Sequence, residues 1–318
     1  MKASTNFTKK QSRYDDLPSS QRRGKYVFIY SMISLQIIGF FVFYVGVNLQ
    51  GILLAFQQPT GIVDGKETFY WTFRQFQLFW EQITRVGGSS TMQIAFRNTF
   101  LYFGLDVLII FPINFCVAYM LNKKLPGHNF LRVSIFLPSI ISAVAITIMF
   151  KTIIAPDGPL AYMLHNVFGK QIPPLLTQDS TATPTLMFYE FFVNISASVL
   201  LLSGSFSRIP SEIEDSARID GVNEFQKIFH IDIPLIRGTL ATLLVLKASG
   251  LFGASGPILL MTQGRYNTTT FGYWVYDMVK LQDRYNLPAA TGIVLTLISI
   301  PVVFGARKLL LPKEETTY

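Results

Sequence analysis

Residues 208–237 read RIPSEIEDSARIDGVNEFQKIFHIDIPLIR, a charged island between two long apolar runs. The stretch carries the signals of folded structure. Ser211-Glu212-Ile213-Glu214 fits a capping box, in which the serine hydroxyl accepts from a free backbone N–H and the glutamate reaches back. Asp220-Gly221 predicts a stop, because glycine tolerates the left-handed geometry of a helix end. A second start is expected at Asn223, with Phe225, Ile228 and Phe229 on one face at helical spacing, and Pro234 is expected to close it. The segment reads as two short helices on a membrane face. Arg208, Arg218, Lys227 and Arg237 are outnumbered by Glu212, Glu214, Asp215, Asp220, Glu224 and Asp232, a net charge of −2. A helix that lies on anionic lipid is basic, so this acidic one points to a protein partner.

The runs on either side decide the fold class. Half of the 318 residues are hydrophobic and 14% are charged, against roughly a quarter charged in a soluble domain. A bilayer core of about 30 Å takes roughly 20 apolar residues in a helix. Six segments qualify: 26–56, 99–121, 131–150, 183–202, 235–261 and 288–306. The first is over-long, which allows tilt or projection beyond the membrane. It starts after 25 mostly polar residues and lacks an A-x-A-like cleavage site, so it reads as a span and not as a secretory signal. The expected architecture is an all-α integral membrane protein of six transmembrane helices. It divides into a polar tail over 1–25, a first helix and outer loop over 26–98, a five-helix core over 99–306 containing the charged loop, and a tail over 307–318.

Charge orients the chain. With the N-terminus inside, the inner segments hold 17 Lys and Arg and the outer loops hold nine, with Lys247 inside a span. Both termini and the 208–237 loop are therefore expected in the cytoplasm. The net charge of +8 could suggest nucleic acid, but the basic residues flank the apolar runs, so lipid is the expected partner and nucleic acid is not. Cys116, the one cysteine, excludes a disulfide framework or a thiolate metal cluster and reads as a small buried hydrophobe. The outer loop 57–97 gathers Phe69, Tyr70, Trp71, Phe73, Phe76, Phe79 and Trp80. Such a cluster reads as an interfacial belt or short interfacial helix; a stacking platform for a sugar ring is the alternative.

Within the charged loop, Asp215-Ser216-Ala217-Arg218-Ile219-Asp220-Gly221, continuing to Ile233-Pro234, resembles the E-A-A-x-x-x-G and I-x-L-P loop of ATP-binding-cassette (ABC) importer permeases. Ile219-Asp220-Gly221 matches the I-D-G of the carbohydrate branch. Asp215 stands where that pattern has glutamate, Ser216 where it has the first alanine, and Ile233 where it has leucine. Arg97-Asn98-Thr99 resembles the R-N-T that opens the family's core, and the resemblance runs from about 98 to 306. It implies a type I ABC importer permease fold in a bacterial cytoplasmic membrane. It implies that the loop is a coupling helix seated in a groove of a cytoplasmic ATPase, with Asp215, Ser216, Ala217, Asp220, Gly221 and Pro234 forming the coupling element. The implied partners are a homologous second permease subunit in a heterodimeric pore, two ATPase subunits that bind ATP and Mg, an extracytoplasmic solute-binding protein, and a sugar or oligosaccharide. The long first span and polar tail resemble the oligosaccharide branch.

No catalytic machinery is legible in the chain, and no cofactor of its own is expected. A Walker A loop needs glycine five residues before its Gly-Lys, and ahead of Gly24, Gly65 and Gly169 those positions hold Ser19, Thr60 and Leu164. His128, His165 and His230 fall in or beside loops, with no H-E-x-x-H or G-x-S-x-G nearby. An ion-gradient-driven secondary transporter is the rival function, but inverted repeats are common in such folds and none is visible here. The ionisable groups inside spans are Asp106, Glu190 and Lys247, each a functional candidate because charge in hydrocarbon is costly. They read either as an interhelical ion pair of Lys247 with one acid, or as the lining of a central cavity that binds substrate hydroxyls. Tyr189, Asn194 and Ser198 share the fourth span with Glu190 and suit the second reading. Gly250, Gly253, Gly256 and Pro257 predict a kink or unwound stretch in the fifth span, tolerable only against protein or a water-filled cavity.

Overall fold

In the computed structural model of the chain, residues 19–63, 66–85, 90–123, 126–169, 173–196, 198–253 and 256–310 are described. Helix α1 (Ser19–Gly39), a wide π-helical turn (Phe40–Gly46) and α2 (Val47–Ala55) form the first rod. Beyond Lys25 its sequence is mostly apolar, and none of its membrane-length stretch is buried inside the chain. The rod runs into an antiparallel hairpin of β1 (Gln57–Val63) and β2 (Lys66–Trp71), with Gln57 opposite Trp71, Val63 opposite Lys66 and a bulge between Pro59 and Gly61. Helix α3 (Arg74–Thr84) follows.

The hairpin is a small addition to the expected helical architecture. Of the aromatic cluster, Phe69, Tyr70 and Trp71 are strand residues, where β-propensity places aromatic side chains; Phe76, Phe79 and Trp80 are helical. The base of the hairpin is closed by the Thr72 N–H, which donates to the Phe56 carbonyl at 2.7 Å. Asp64-Gly65, the two-residue link whose sequence favours a hairpin, lies outside the described residues.

The second span is α4 (Thr91–Gly104), a π-helical turn (Leu105–Ile110) and α5 (Phe111–Asn122). The third departs from expectation: α6 (His128–Ile140) and α7 (Ala143–Ile153) meet at 101° instead of forming one straight helix. Pro138 inside α6 removes a hydrogen-bond donor and crowds the preceding turn, and Ile141 then leaves helical geometry at ψ 141. Helix α8 (Pro159–Phe168) leads to the fourth span, α9 (Ala182–Asn194) and α10 (Val199–Phe206). Beyond α11 (Ser211–Ile219), the turn α12 (Glu224–Lys227), a π-helical turn (Ile228–Asp232) and α13 (Ile233–Ser249) make one continuous helix. The apolar run 235–261 is thus broken after Ser249 and resumes as α14 (Gly256–Met261), as its glycines predict. Helix α15 (Phe271–Tyr276), a last π-helical turn (Asp277–Leu281) and α16 (Asn286–Leu310) complete the chain. Among the described residues, five helices are long and apolar enough to cross a membrane, six if the bent α6–α7 pair is one crossing.

Three clusters hold the bundle. Phe111, Leu121, Leu202, Phe206, Ile236 and Leu240 join α5, α10 and α13 near the charged loop. Tyr102, Ile146, Leu186, Tyr189, Ile258 and Tyr273 join α4, α7, α9, α14 and α15. Phe79, Met92, Phe271, Trp274 and Leu295 close the hairpin end. Cys116 is exposed on the outer side of α5, not buried as its neighbours suggested, because it falls between the inward positions Asn114 and Ala118.

Candidate functional site

The charged groups of three spans converge. A cavity of about 220 Å³ is lined by Tyr102, Phe103, Leu105, Asp106, Ile110, Glu190, Asn194, Lys247, Gly250 and Leu251. Lys247 Nζ donates to Asp106 Oδ1 at 2.6 Å, across 141 residues of sequence, and stands 5.8 Å from the Phe111 ring centroid. Asp106 lies in the first turn of the π-helical segment of the second span. Gly250 ends α13 beside the cavity, three residues past Lys247. On α9, the Asn194 side-chain amide donates to the Glu190 carboxylate, the two being neighbours one turn apart. The Asn114 side chain fixes the end of α9 by donating to the Asn194 carbonyl at 3.2 Å.

Lys247 is ion-paired with Asp106, and the pair lines a cavity. Asp106, Glu190, Asn194 and Lys247 meet there, whereas Tyr189 and Ser198 do not. Tyr189 turns away, its hydroxyl 2.6 Å from that of Thr147 and its ring against Phe150. Ser198 is buried at the start of α10. Sequence reasoning missed Tyr102, whose buried hydroxyl has no hydrogen-bond partner among the described residues and which lines the cavity. The available signal was spacing, since Tyr102 stands four residues before Asp106.

Arg97-Asn98-Thr99 has a structural task. The Asn98 side chain donates to the carbonyls of Asn267 and Thr269 at 2.6 and 3.0 Å, and the Thr99 hydroxyl accepts from the Phe271 N–H at 3.0 Å. These bonds pin the turn 262–270, in which Gln263, Gly264, Tyr266 and Asn267 all have positive φ. The hydroxyls of Thr262 and Thr268 bond one another inside it at 2.7 Å. A backbone so far from ordinary geometry persists only where its surroundings over-determine it.

The charged loop is one helix and the leading turn of another. Helix α11 begins at Ser211 with Pro210, in extended geometry, as its cap, and no side chain caps it. The expected Ser211 capping box is therefore not formed, because Ser211 is already the first helical residue. The end follows expectation: Gly221 has φ +69, its N–H donates to the Arg218 carbonyl, and the Val222 N–H reaches the Ala217 carbonyl, the paired bonds of a glycine-terminated helix. At Asn223 the capping box is complete with Gln226. Pro234 does not close the second helix. The π-helical turn before it takes up the missing N–H, and the helix continues to Ser249. Phe225 and Phe229 are 76% and 63% exposed, so the expected apolar face is not buried within this chain. Asp215, Ser216 and Asp220 are exposed, while Ala217 is buried.

Lys227 Nζ binds Glu214 at 3.0 Å, joining α12 to α11. Glu224 accepts from the Tyr119 hydroxyl at 2.6 Å and pairs with Lys123, joining α12 to the end of the second span. Among the described residues, no group of three or more His, Cys, Asp and Glu side chains is placed to hold a metal ion.

Comparison with known proteins agrees with this architecture. Protein LplB of Bacillus subtilis is 26% identical over 219 residues, 66% of this chain and 68% of that protein. The arabinooligosaccharides transport system permease protein AraP of the same organism is 22% identical over 306 residues, 94% of this chain and 92% of that protein. A chain from the crystal structure of a bacterial ABC transporter involved in the import of the acidic polysaccharide alginate superposes with a TM-score of 0.77 at 23% identity, over 91% of this chain and 96% of that one. That likeness establishes the fold of an ABC importer permease. Residues 95–315 match the model of the binding-protein-dependent transport system inner membrane component family, most of the chain including every cavity-lining residue. The chain belongs to that family of multi-pass transport permeases of the cytoplasmic membrane.

Proposed function

We propose that the chain forms half of the translocation pathway of an ATP-driven oligosaccharide importer. The observation that carries this reading is the polar cavity of Tyr102, Asp106, Glu190, Asn194 and Lys247, enclosed by spans in a transport permease that is mostly apolar. Carboxyl, amide, ammonium and phenol groups in one cleft suit a polyhydroxylated solute, each able to donate to or accept from ring hydroxyls. The names of relatives such as AraP favour the same solute class.

The chain's own family is not a catalytic one, and the energy is assigned to a separate ATPase that binds ATP and Mg. That subunit docks on α11, at the exposed face of Asp215, Ser216 and Asp220 and the Gly221 turn, with Pro234 setting the helix behind it. The termini and this loop face the cytoplasm; the hairpin and the 262–270 turn face outward, where a solute-binding protein delivers the sugar. A homologous second permease completes the pore.

The test is reconstitution of the chain with its second permease, ATPase and solute-binding protein in liposomes. Uptake of labelled arabino-oligosaccharides or uronate oligosaccharides is expected to require ATP, with the ATPase co-purifying on this chain. Uptake driven by an ion gradient without ATP would favour a secondary transporter and overturn the proposal.

A further inference from the structure

The bonds around Glu224 join three elements that sequence keeps far apart. Glu224 is the first residue of the long helix that becomes the fifth span. Its carboxylate holds the Tyr119 hydroxyl at 2.6 Å and the Lys123 ammonium, both on the last turn of the second span or its cap. Lys123 also lies 5.1 Å from the Tyr119 ring centroid. Three residues on, Lys227 holds Glu214 of α11 at 3.0 Å. Asp232, 1% exposed with one unpartnered carboxylate oxygen, is buried close enough to feel the field of both lysines.

We infer that Tyr119, Lys123 and Glu224 are positioning residues that lock the end of the second span to the coupling segment, so that motion of α11 reaches the second and fifth spans together. The inference rests on the coupling role proposed above. Its physical basis is the route of the contacts. Glu214–Lys227 ties α11 to α12, and α12 is continuous with the fifth span through the Ile228–Asp232 turn. Without Glu224, the ion pairs described here tie α11 to the fifth span only, and the second span follows through the apolar packing of Phe111 and Leu121 on Ile236 and Leu240. With it, the same displacement is delivered to the second span, which carries Asp106 in its π-helical turn, while the fifth span carries Lys247. The cavity's ion pair therefore bridges the two helices that this lock makes move as one. Coupling between separated sites needs an element that both bias, and the second-span/fifth-span pair is assigned that part.

The test places spin labels at Met120→Cys and Glu212→Cys, with the exposed Cys116 replaced by serine, in the assembled importer, in nanodiscs, without nucleotide and with ADP-vanadate. In the otherwise unaltered protein one narrow distance is expected in both states. Tyr119→Phe with Glu224→Gln is expected to broaden the distribution and shift it on trapping, while Lys123→Arg, which keeps the charge, leaves it narrow. An unshifted narrow distance in the double variant would overturn the lock. The ATPase is expected to co-purify at full stoichiometry with all of these chains; if the unaltered chain fails to retain it, the coupling role falls instead.

Discussion

Two glycines share a left-handed backbone and differ in what a side chain would meet. At Gly264, φ +69, an added Cβ would run into the Tyr273 ring and the Thr269 hydroxyl. Gly264→Ala is expected to destabilise by about 1–3 kcal/mol, read as a lower melting temperature in detergent. At Gly221, also φ +69, a Cβ would meet open space, leaving only a backbone penalty of roughly 1–2 kcal/mol. Gly221→Asn is expected to retain the ATPase, because asparagine visits this geometry, and Gly221→Val to release it without loss of the fold; full retention by the valine variant would count against the docking site. The half-buried ion pair gives a third prediction. Lys247→Met leaves Asp106 without its cation, so this single change is expected to lower thermal stability more than the double change with Asp106→Leu. The sequence made some of these residues legible and hid others. Gly221 and Asn223 announce themselves because helix ends are decided by a few adjacent residues. Ser211 misled, because Pro210 took the cap that its pattern invited. Tyr102 was marked only by its spacing from Asp106, since a phenol without a partner among the described residues and a satisfied one are the same letter.

Elements depend on longer-range terms, and there the π-helical turn ahead of Pro234 is the most consequential. The Ile233 N–H reaches back to the Ile228 carbonyl, one residue further than in an α-helix, which accommodates a proline without ending the helix. Pro234→Ala removes the reason for the wide turn. The helix is expected to relax to regular winding and rotate the coupling segment by up to about 100° relative to the fifth span. ATPase retention with reduced uptake is the expected outcome, and unchanged uptake per ATP would show that the turn has no part in coupling. The break after Ser249 was legible from its glycines. The α6–α7 bend was not, since Pro138 is the kind of residue that membrane helices tolerate when neighbours re-satisfy the backbone. The hairpin was half legible: Asp64-Gly65 favours it, but the density of aromatic residues beyond pointed to a belt.

For the whole molecule, hydropathy located five membrane-length helices among the described residues, because the bilayer imposes length directly, and the sixth expected crossing depends on the bent α6–α7 pair. It could not bring Asp106, Glu190 and Lys247 together, since the packing that does so joins residues 141 apart. Orientation is checked by fusion: alkaline phosphatase placed in the 57–71 hairpin is expected to be active, and placed after Lys308 inactive. The reverse pattern would invert every assignment of faces. The first rod adds a mechanical consequence. Its α2 end is fastened to the last helix, where the Asn286 amide donates to the carbonyls of Leu54 and Gln57 at 3.0 and 2.8 Å, while its membrane-length stretch is unburied. Such a rod is a cantilever, clamped at the hairpin and solvated along its length by whatever surrounds it. Its angle is then a property of the assembly and not of the chain, and small changes in neighbouring molecules are amplified toward its Ser19 end.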